Sequence, residues 1–369
     1  MRRALAVVVA AAVAVTVPPM AHRPARAAVG ARLMVDCSPP GDTCWPTAFA
    51  FTPNGKELFY LERYSGEIHR VKLRNGRDSV WGDVGPVEAT GERGGLGLAL
   101  DPKWNKGKKK KRKKNRWVYV FYTHESPLEN RIVRLRKRLK RGGTIERHLL
   151  TISINAGSNH NAGPMQFGAD KKLYVVTGDQ AQPARSQDLG DPAGKVLRLN
   201  RNGSRPANNP IPGSLAFSFG HRNSFGLGFD PATGNLWQTE NGPECDDEIN
   251  LIVPGGNYGW GAGSSCPNTS TVGPSPIGPE FEYTPTVVPT GLTFCSGCGL
   301  GPDVEGDLLV GFFGGGSQIR RYDLDAQRDD ITGETLLHDH PSGILAMLRR
   351  KNGQVWFSDS GGVYRLTGP

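Results

Sequence analysis

Three short runs of β-forming residues, separated by tight turns, occur in the same order six times along this chain. The first copy, "TAFAFTPNGKELFYLERYSGEIHRV", reads as strand, Pro-Asn-Gly turn, strand, Ser-Gly turn and strand. No long stretch has an apolar period of 3.6 residues, so we expect very little helix. The six copies cover residues 47–71, 95–135, 162–200, 225–252, 290–324 and 343–366.

A single meander of this kind cannot bury both of its faces, whereas several meanders arranged radially can. Six copies leave roughly 55–60 residues for each, longer than the ~40–50 usual for a propeller blade because of loop insertions. The repeat therefore predicts an all-β fold, a six-bladed β-propeller with long inter-strand loops, formed by residues 28–369 as a single domain. A β-sandwich is the alternative, although it would not predict six similar turn signatures.

The N-terminus has the composition of a processing signal. Arg2 and Arg3 precede an apolar run, and "ARA" at residues 25–27 offers small residues for cleavage. The apolar run is too short for a comfortable membrane span. We therefore expect residues 1–27 to be a secretion signal peptide, and the product to be secreted, extracellular or associated with the cell envelope, with no transmembrane segment.

The six cysteines agree with export, because an oxidising compartment permits disulfide bonds. They fall into three neighbouring pairs, each of which could close a short loop, but the sequence alone does not fix their connectivity. Metal binding by "CSGC" at residues 295–298 is the alternative, although no second CxxC or histidine cluster supports zinc. The pairs are Cys37 and Cys44, Cys245 and Cys266, and Cys295 and Cys298.

The formal net charge of +10 is concentrated in one segment. Residues 103–116, "KWNKGKKKKRKKNR", contain ten Lys or Arg and no acid, and a second basic stretch covers residues 131–141. Such blocks repel themselves and usually form solvated loops. The alternative is contact of the basic loop with a polyanion or the cell envelope. Nucleic acid is not expected, since no aromatic residues are interleaved for base stacking.

Ligands of propellers bind at the central funnel on one face, where the loops carry polar residues. His160 is the best candidate for a general base, because a neutral imidazole accepts a proton from an alcohol near neutral pH. Asp179 would orient its ring. The alternative is a loop histidine bonded to the main chain. Polar residues at comparable edges of successive repeats are Glu92, His160, Asp179, Arg222, Asn223 and Asn241.

Residues 239–260 combine carboxylates with a Gly-Pro turn. The acids Asp246, Asp247 and Glu248, with carbonyl groups near Gly242 and Pro243, offer the oxygen ligands that suit Ca²⁺. The alternative is an acidic surface turn paired with lysines. The spacing is not that of an EF-hand, and "GLGLAL" lies in a strand, so a dinucleotide fingerprint is absent as well.

Segments in the same order as these candidates resemble the soluble quinoprotein sugar dehydrogenases, the glucose/sorbosone dehydrogenase family. They are "ERGGLGLALDP", "HNAGPMQFGADKKLYVVTGD", "GKVLRLNRNG" and "GHRNSFGLGFDPATGNLWQTENGPECDDEINLIVPGGNYGW". The resemblance implies a six-bladed propeller that binds pyrroloquinoline quinone (PQQ) and Ca²⁺. It also implies that an aldose loses a proton to His160 and a hydride from C1 to PQQ, which leaves a lactone.

The resemblance further implies individual roles for the candidate residues. Asp179 supports the catalytic His160, and Arg222 acts at the reacting centre. The cofactor-binding positions are Glu92, Arg222, Asn223 and Asn241. The metal positions are Gly242 and Pro243, whose carbonyls hold the calcium of the cofactor, and Glu248 and Tyr258, which match a second, structural calcium site.

The last two repeats depart from the family pattern, because the expected cationic residues are missing. Arg320 and Arg321 lie within or beyond a strand, and His338 or His340 is left as a substitute partner for the PQQ carboxylates. Two other functions therefore stay open: a quinone-free propeller acting as a binding module, and a calcium-dependent hydrolase or lactonase. The sugar and the external electron acceptor are not specified by the sequence.

Overall fold

The computed structural model describes residues 29–37, 44–104, 116–138, 141–155 and 159–368, and the side chains of residues 137, 138 and 141 are not considered. The predicted signal peptide, residues 1–27, and most of the basic segment 103–116 lie outside these residues. The described chain contains 24 β-strands and one short 3-10 helix at Pro183–Gln187. None of its helices is long and apolar enough to cross a membrane.

Within the described residues, the strands form six antiparallel groups of four, which we number as blades 1 to 6. Blades 1 and 2 are β2 (Pro46–Phe51), β3 (Glu57–Glu62), β4 (Glu67–Lys72) and β5 (Val80–Asp83), then β6 (Gly95–Leu100), β7 (Trp117–His124), β8 (Glu129–Arg138) and β9 (Arg141–Ser153). Blades 3 and 4 are β10 (Ala162–Phe167), β11 (Leu173–Thr177), β12 (Lys195–Leu199) and β13 (Ala216–Phe219), then β14 (Gly226–Phe229), β15 (Leu236–Glu240), β16 (Asp247–Ile252) and β17 (Phe281–Tyr283). Blades 5 and 6 are β18 (Pro289–Phe294), β19 (Leu308–Phe312), β20 (Gln318–Leu324) and β21 (Ile331–Asp339), then β22 (Ala346–Arg349), β23 (Val355–Ser358), β24 (Gly362–Thr367) and, from the start of the chain, β1 (Gly30–Asp36).

The first strands of the blades close into a ring. β2, β6, β10, β14, β18 and β22 contact one another in that order, and β22 contacts β2 again. Among the described residues, the strand pairing between blades 1 and 2 consists of a single parallel bridge from Gly82 to Gly143. β1 pairs antiparallel with β24 and completes blade 6, so both ends of the described chain lie in one sheet. The predicted all-β propeller fold is confirmed.

The core lies between the blades, because both faces of a blade pack against a neighbour. β6, β11 and β12 are buried at every position, as expected for strands covered on both sides. One large cluster joins Phe59 and Trp81 of blade 1 to Leu98, Val120 and Val133 of blade 2. The three disulfide bonds are Cys37–Cys44, Cys245–Cys266 and Cys295–Cys298, so the neighbouring pairs are connected and "CSGC" does not offer thiolates to a metal.

The second basic stretch corrects one expectation. Residues 131–138 do not form a solvated loop; they belong to β8. Ile132, Val133 and Leu135 are fully buried, and Arg134 is 7% exposed, with its Nε 3.2 Å from Oε2 of Glu146. Apolar residues between the arginines supply the buried positions of a strand, and this pattern outweighs the charge density.

Candidate active site

His160 and Asp179, predicted as a general base and its orienting carboxylate, are in direct contact. His160 lies just before β10 and Asp179 just after β11, and Nδ1 of the imidazole is 2.7 Å from Oδ1 of the carboxylate. Asp179 is fully buried, whereas the His160 side chain keeps 16% of its surface exposed. The carboxylate favours the tautomer protonated at Nδ1 and leaves Nε2 as the proton acceptor. The alternative of a histidine bonded only to the main chain is therefore wrong.

Asp179 has two further donors. The indole Nε1 of Trp260 is 2.7 Å from Oδ2, and the main-chain N–H of Ala181 donates to Oδ1 at 2.7 Å. Sequence reasoning missed Trp260, which lies 81 residues away along the chain. The available signal was weak: a buried indole N–H needs an acceptor, but the sequence does not say which one.

The backbone around this pair is held in an unusual conformation. His160, Ala162, Gln180 and Ala181 all have positive φ, between 56° and 61°. For residues other than glycine this conformation costs on the order of 1 kcal/mol each and persists only where the surroundings enforce it. Here the side-chain amide of Gln180 donates to the carbonyl of His160 at 3.1 Å. A Cβ on Gly178 would meet that same carbonyl oxygen at 1.9 Å, so only glycine fits there.

Glu92 joins the histidine to the arginine–asparagine segment. Its Oε2 accepts the main-chain N–H of His160 at 2.8 Å and the side-chain amide of Asn223 at 3.1 Å. Asn223 lies just before β14, on the blade that follows the histidine's blade. Its Oδ1 is buried and has no hydrogen-bond partner. Residues 92, 160 and 223 therefore form one hydrogen-bonded arc across three neighbouring blades.

Arg222 lies at the same end of the ring. Its NH1 donates to the carbonyl of Asn241 at 2.7 Å, its main-chain N–H donates to Glu240, and its guanidinium lies 5.3 Å from the ring centre of Trp260. Burial lowers the pKa of Arg222, although four carboxylates, Asp179 foremost, oppose the shift. The Nε–H is buried without an acceptor. A buried cationic donor without a partner is costly, so this atom is suited to a ligand.

A cavity of about 460 Å³ lies at the centre of the ring, lined by the first strands of all six blades. Most of its lining is apolar. Glu92 and Asn241 belong to the lining, whereas His160, Arg222 and Asn223 lie beside it and reach it through these two residues. Within the described lining, Arg63 is the sole basic side chain and Glu92 the sole acidic one.

The turn predicted to hold calcium is tight. The N–H of Gly242 donates to Oδ1 of Asp247 at 2.8 Å, and a Cβ on Gly242 would meet the carbonyl oxygen of Cys245 at 1.8 Å. The carbonyl oxygens of Gly242 and Pro243 accept no hydrogen bond from the described residues. They are thus available as hard oxygen ligands.

The three acids of this segment are buried, at 7%, 0% and 4% exposure for Asp246, Asp247 and Glu248. Oδ2 of Asp247 accepts two main-chain N–H groups, at 2.6 and 2.7 Å, and burial raises its pKa. Asp246 is bonded to threonine hydroxyls and a main-chain N–H. The alternative of an acidic surface turn paired with lysines is wrong.

Glu248 and Tyr258, predicted for a second metal site, are both buried near Glu240. The Glu248 carboxylate accepts the side-chain amide of Asn250 at 3.0 Å, and burial, assisted by Glu240, raises its pKa to about 8. The Tyr258 hydroxyl donates to the carbonyl of Leu251. Because the hydroxyl is already hydrogen-bonded, a cation at this position would bind the main-chain carbonyl oxygen of Tyr258.

A model of the family described as "Glucose / Sorbosone dehydrogenase" matches residues 44–366. This chain belongs to that family. It is 33% identical over 247 residues to quinoprotein glucose dehydrogenase B of Acinetobacter calcoaceticus, a match that covers 58% of this chain and 50% of the relative. The chain thus spans about half the length of this relative.

Two further similarities agree with the family. Aldose sugar dehydrogenase of Escherichia coli is 29% identical over 226 residues, which cover 58% of each chain. The solved structure of the PQQ-bound aldose sugar dehydrogenase from Streptomyces coelicolor superposes with a TM-score of 0.73 at 25% identity, covering 93% of this chain and 99% of the other. These similarities support the family fold over nearly the whole described chain.

The cationic residues of the last two blades do not reach the central cavity of this family member. Arg320 and Arg321 lie on β20 and form ion pairs with acidic side chains of their own blade, at 2.5 and 3.3 Å. His338 is bonded through Nδ1 to a main-chain carbonyl, and burial lowers its pKa. His340 is bonded to an aspartate of blade 6. Sequence reasoning missed Arg63, which enters the cavity from blade 1.

Proposed function

We propose that this protein is a secreted quinoprotein oxidoreductase that oxidises the C1 hydroxyl of an aldose to the lactone. One observation carries the proposal: His160, oriented by a buried Asp179, lies close to two buried polar atoms, Nε of Arg222 and Oδ1 of Asn223, that have no hydrogen-bond partner among the described residues. A base that takes an O–H proton next to unsatisfied ligand-binding groups suits oxidation of an alcohol. Membership of the glucose/sorbosone dehydrogenase family supports the same chemistry.

His160 performs the proton transfer in this proposal. Its Nε2 accepts the proton of the C1 hydroxyl, and the imidazolium that forms is stabilised by Asp179 at Nδ1. Trp260 and Ala181 keep the carboxylate in place. Glu92 fixes the histidine backbone through its N–H, so the ring keeps one position relative to the cavity.

The residues present fit PQQ. The Nε–H of Arg222 and Oδ1 of Asn223 would bind its polar atoms, with Glu92 and Asn241 at the edge of the cavity. The carbonyl oxygens of Gly242 and Pro243 would hold its Ca²⁺. When bound, PQQ supplies the acceptor for the hydride of C1, and the calcium polarises the quinone as a Lewis acid.

A second, structural calcium is proposed at Glu248 and the main chain of Tyr258. The support is the carboxylate of Glu248, which is buried next to Glu240 and has no cationic side chain bonded to it among the described residues. A divalent cation would relieve the repulsion between these two carboxylates.

The two other functions have less support. One observation favours a quinone-free binding module. PQQ carries three carboxylates, whereas the described cavity lining has one basic side chain, Arg63, to pair with them. A calcium-dependent hydrolase or lactonase would need carboxylates that converge on a metal in the cavity. Glu92 is the single acid in the described lining, which counts against that reaction.

Localisation and partners are proposals as well. The three disulfides and the composition of residues 1–27 support secretion. For the basic insertion 103–116 we keep the proposal of contact with a polyanion or the cell envelope. Deleting residues 105–115 should then change the distribution of the protein between envelope and medium, and an unchanged distribution would reject that role.

The function is tested by reconstituting the purified protein with PQQ and Ca²⁺. We expect dye-linked oxidation of at least one aldose that depends on both additions and is lost in His160→Ala. PQQ binding is titrated in the same samples. Binding without oxidation of any aldose would reject the dehydrogenase, and absence of binding would favour the quinone-free module.

A further inference from the structure

A second cleft, of about 510 Å³, opens between blades 2 and 3. It lies at the turn between β10 and β11, whereas His160 precedes β10 and Asp179 follows β11. A six-residue strand is about 20 Å long, so this cleft belongs to the opposite face of the ring. Its lining includes Lys103, Trp117, Lys171, Lys172, Arg201 and Ser204.

Asp170, which also lines this cleft, and the nearby Asp101 are each bonded to an arginine. Oδ2 of Asp170 is bonded to the guanidinium of Arg198 at 2.7 and 3.0 Å. Asp101, fully buried, forms an ion pair with Arg201 at 2.7 Å. The lysines at 103, 171 and 172 have no carboxylate partner among the described residues, and Nζ of the last one donates to an asparagine amide oxygen at 2.5 Å. Three positive charges of the cleft are therefore uncompensated.

The cleft also has an aromatic ring, that of Trp117, in its lining. Arg134 lies 3.8 Å and Arg201 4.9 Å from the ring centre of Trp117. The indole Nε1–H is buried and has no hydrogen-bond partner in the part of the chain that the structure describes. Lys171 has a φ of 62°, a conformation that L-residues seldom adopt outside constrained turns. The lysine ammonium groups donate hydrogen bonds and carry positive charge, which is the complement of an oxyanion.

We propose that this cleft binds the phosphate groups of an anionic ligand. Lysine ammonium groups bind phosphate as point charges, and the ring of Trp117, flanked by Arg134 and Arg201, forms part of the lining between blades 2 and 3. The phosphate can belong to a soluble polymer or to a lipid headgroup, and both offer the same oxyanion. The site is separate from the proposed sugar site, so the two proposals fail independently.

The test needs a local signal, because residues 105–115 carry eight Lys or Arg and would attract polyanions by themselves. The indole N–H resonance of Trp117 supplies one, assigned by its loss in Trp117→Phe. The full-length mature protein is titrated with inorganic pyrophosphate. The test variant is Lys171→Ala/Lys172→Ala. The control is Lys56→Ala/Lys351→Ala, which removes two exposed lysines from turns on the same face, in blades 1 and 6.

We expect a saturable shift of the Trp117 resonance in the wild type and in the control, and an apparent affinity at least tenfold weaker in the test variant. No saturable shift in the wild type, or an equal loss in both variants, would overturn the proposal. Polyphosphate and vesicles of phosphatidylglycerol, with phosphatidylcholine vesicles as reference, then assign the phosphate source. If neither polyphosphate nor phosphatidylglycerol vesicles displaced pyrophosphate, the proposal would also be contradicted.

Discussion

At the scale of single residues, the buried carboxylate of Asp179 determines what His160 can do. It bonds Nδ1 at 2.7 Å, so that in the proposed reaction Nε2 is the atom that accepts the proton. We expect Asp179→Asn to preserve the contact but to favour the wrong tautomer, which should lower kcat about 10²–10⁴-fold. Steady-state kinetics with the reconstituted enzyme measures this loss, and Asp83→Asn, at the exposed end of β5, is the control. A kcat within threefold of the wild type would contradict this role for Asp179.

Trp260 carries a second prediction at this scale. Trp260→Phe removes the N–H that donates to Asp179 but keeps a ring under Arg222. Because an unsatisfied buried carboxylate oxygen remains, the free energy of unfolding should fall by about 1–3 kcal/mol. Denaturant unfolding gives that value. Asp179→Asn/Trp260→Phe closes a double-mutant cycle, and strict additivity of the two changes would argue against the contact.

At the scale of secondary-structure elements, β12 carries a buried lysine. Nζ of Lys195 donates to three main-chain carbonyls, at 2.6, 2.8 and 3.0 Å, and the residue is fully buried. Burial lowers its pKa to about 7. Between this value and its ordinary pKa near 10.5, the folded protein has released a proton that the unfolded chain still binds. The contribution of Lys195 to stability should therefore rise with pH in this window.

The matching measurement compares the wild type with Lys195→Met. The free energy of unfolding of the wild type minus that of Lys195→Met should increase between pH 7 and pH 10, by at most about 1.4 kcal/mol per pH unit. Below pH 7 the difference should be constant. Exposed Lys351→Met serves as the control, for which no pH-dependent difference is expected. A flat difference across the whole range would mean that the three carbonyls keep Lys195 charged in the folded protein.

Much of the strand pattern was predictable from the sequence, and much of the site was not. The Pro-Asn-Gly and Ser-Gly turns delimit β3, whose apolar residues are buried as the repeat predicts. The outer strand β17, only three residues long and half exposed, leaves no such signal. The contact of Trp260 with Asp179 depends on where a long loop folds back, which no local spacing encodes. The burial of Asp246 and Asp247 depends on main-chain donors that the sequence does not show.

At the scale of the whole molecule, the ring is closed by non-covalent pairing of the two ends of the described chain. Val35 of β1 packs against Trp356 and Val363 of blade 6. Val35→Ala should lower the free energy of unfolding by about 1–2 kcal/mol, because it removes two buried methyl groups from this closure. Leu33→Ala on the same strand, 43% exposed, should cost less than about 0.5 kcal/mol. If the two variants lowered the free energy of unfolding equally, the packing of Val35 against blade 6 would not be a specific source of stability.

The arrangement of the ring also explains why one face is suited to chemistry. Glu92, His160, Asp179 and Arg222 each lie where an inner strand begins or its neighbour ends, so closure of the ring brings blades 2, 3 and 4 together at one rim. The cavity beside them has a mostly apolar lining. Sequence order alone suggested this convergence, and the six-fold closure produces it.

Single-turnover reduction of PQQ-loaded protein by an aldose, with protium or deuterium at C1, would examine the proposed chemistry most directly. The wild type should reduce the bound quinone with a rate that deuterium slows. His160→Ala should bind PQQ with unchanged affinity but reduce it at least about 100-fold more slowly. Equal reduction rates in the wild type and in His160→Ala, at equal PQQ occupancy, would contradict the assignment of His160 as the base.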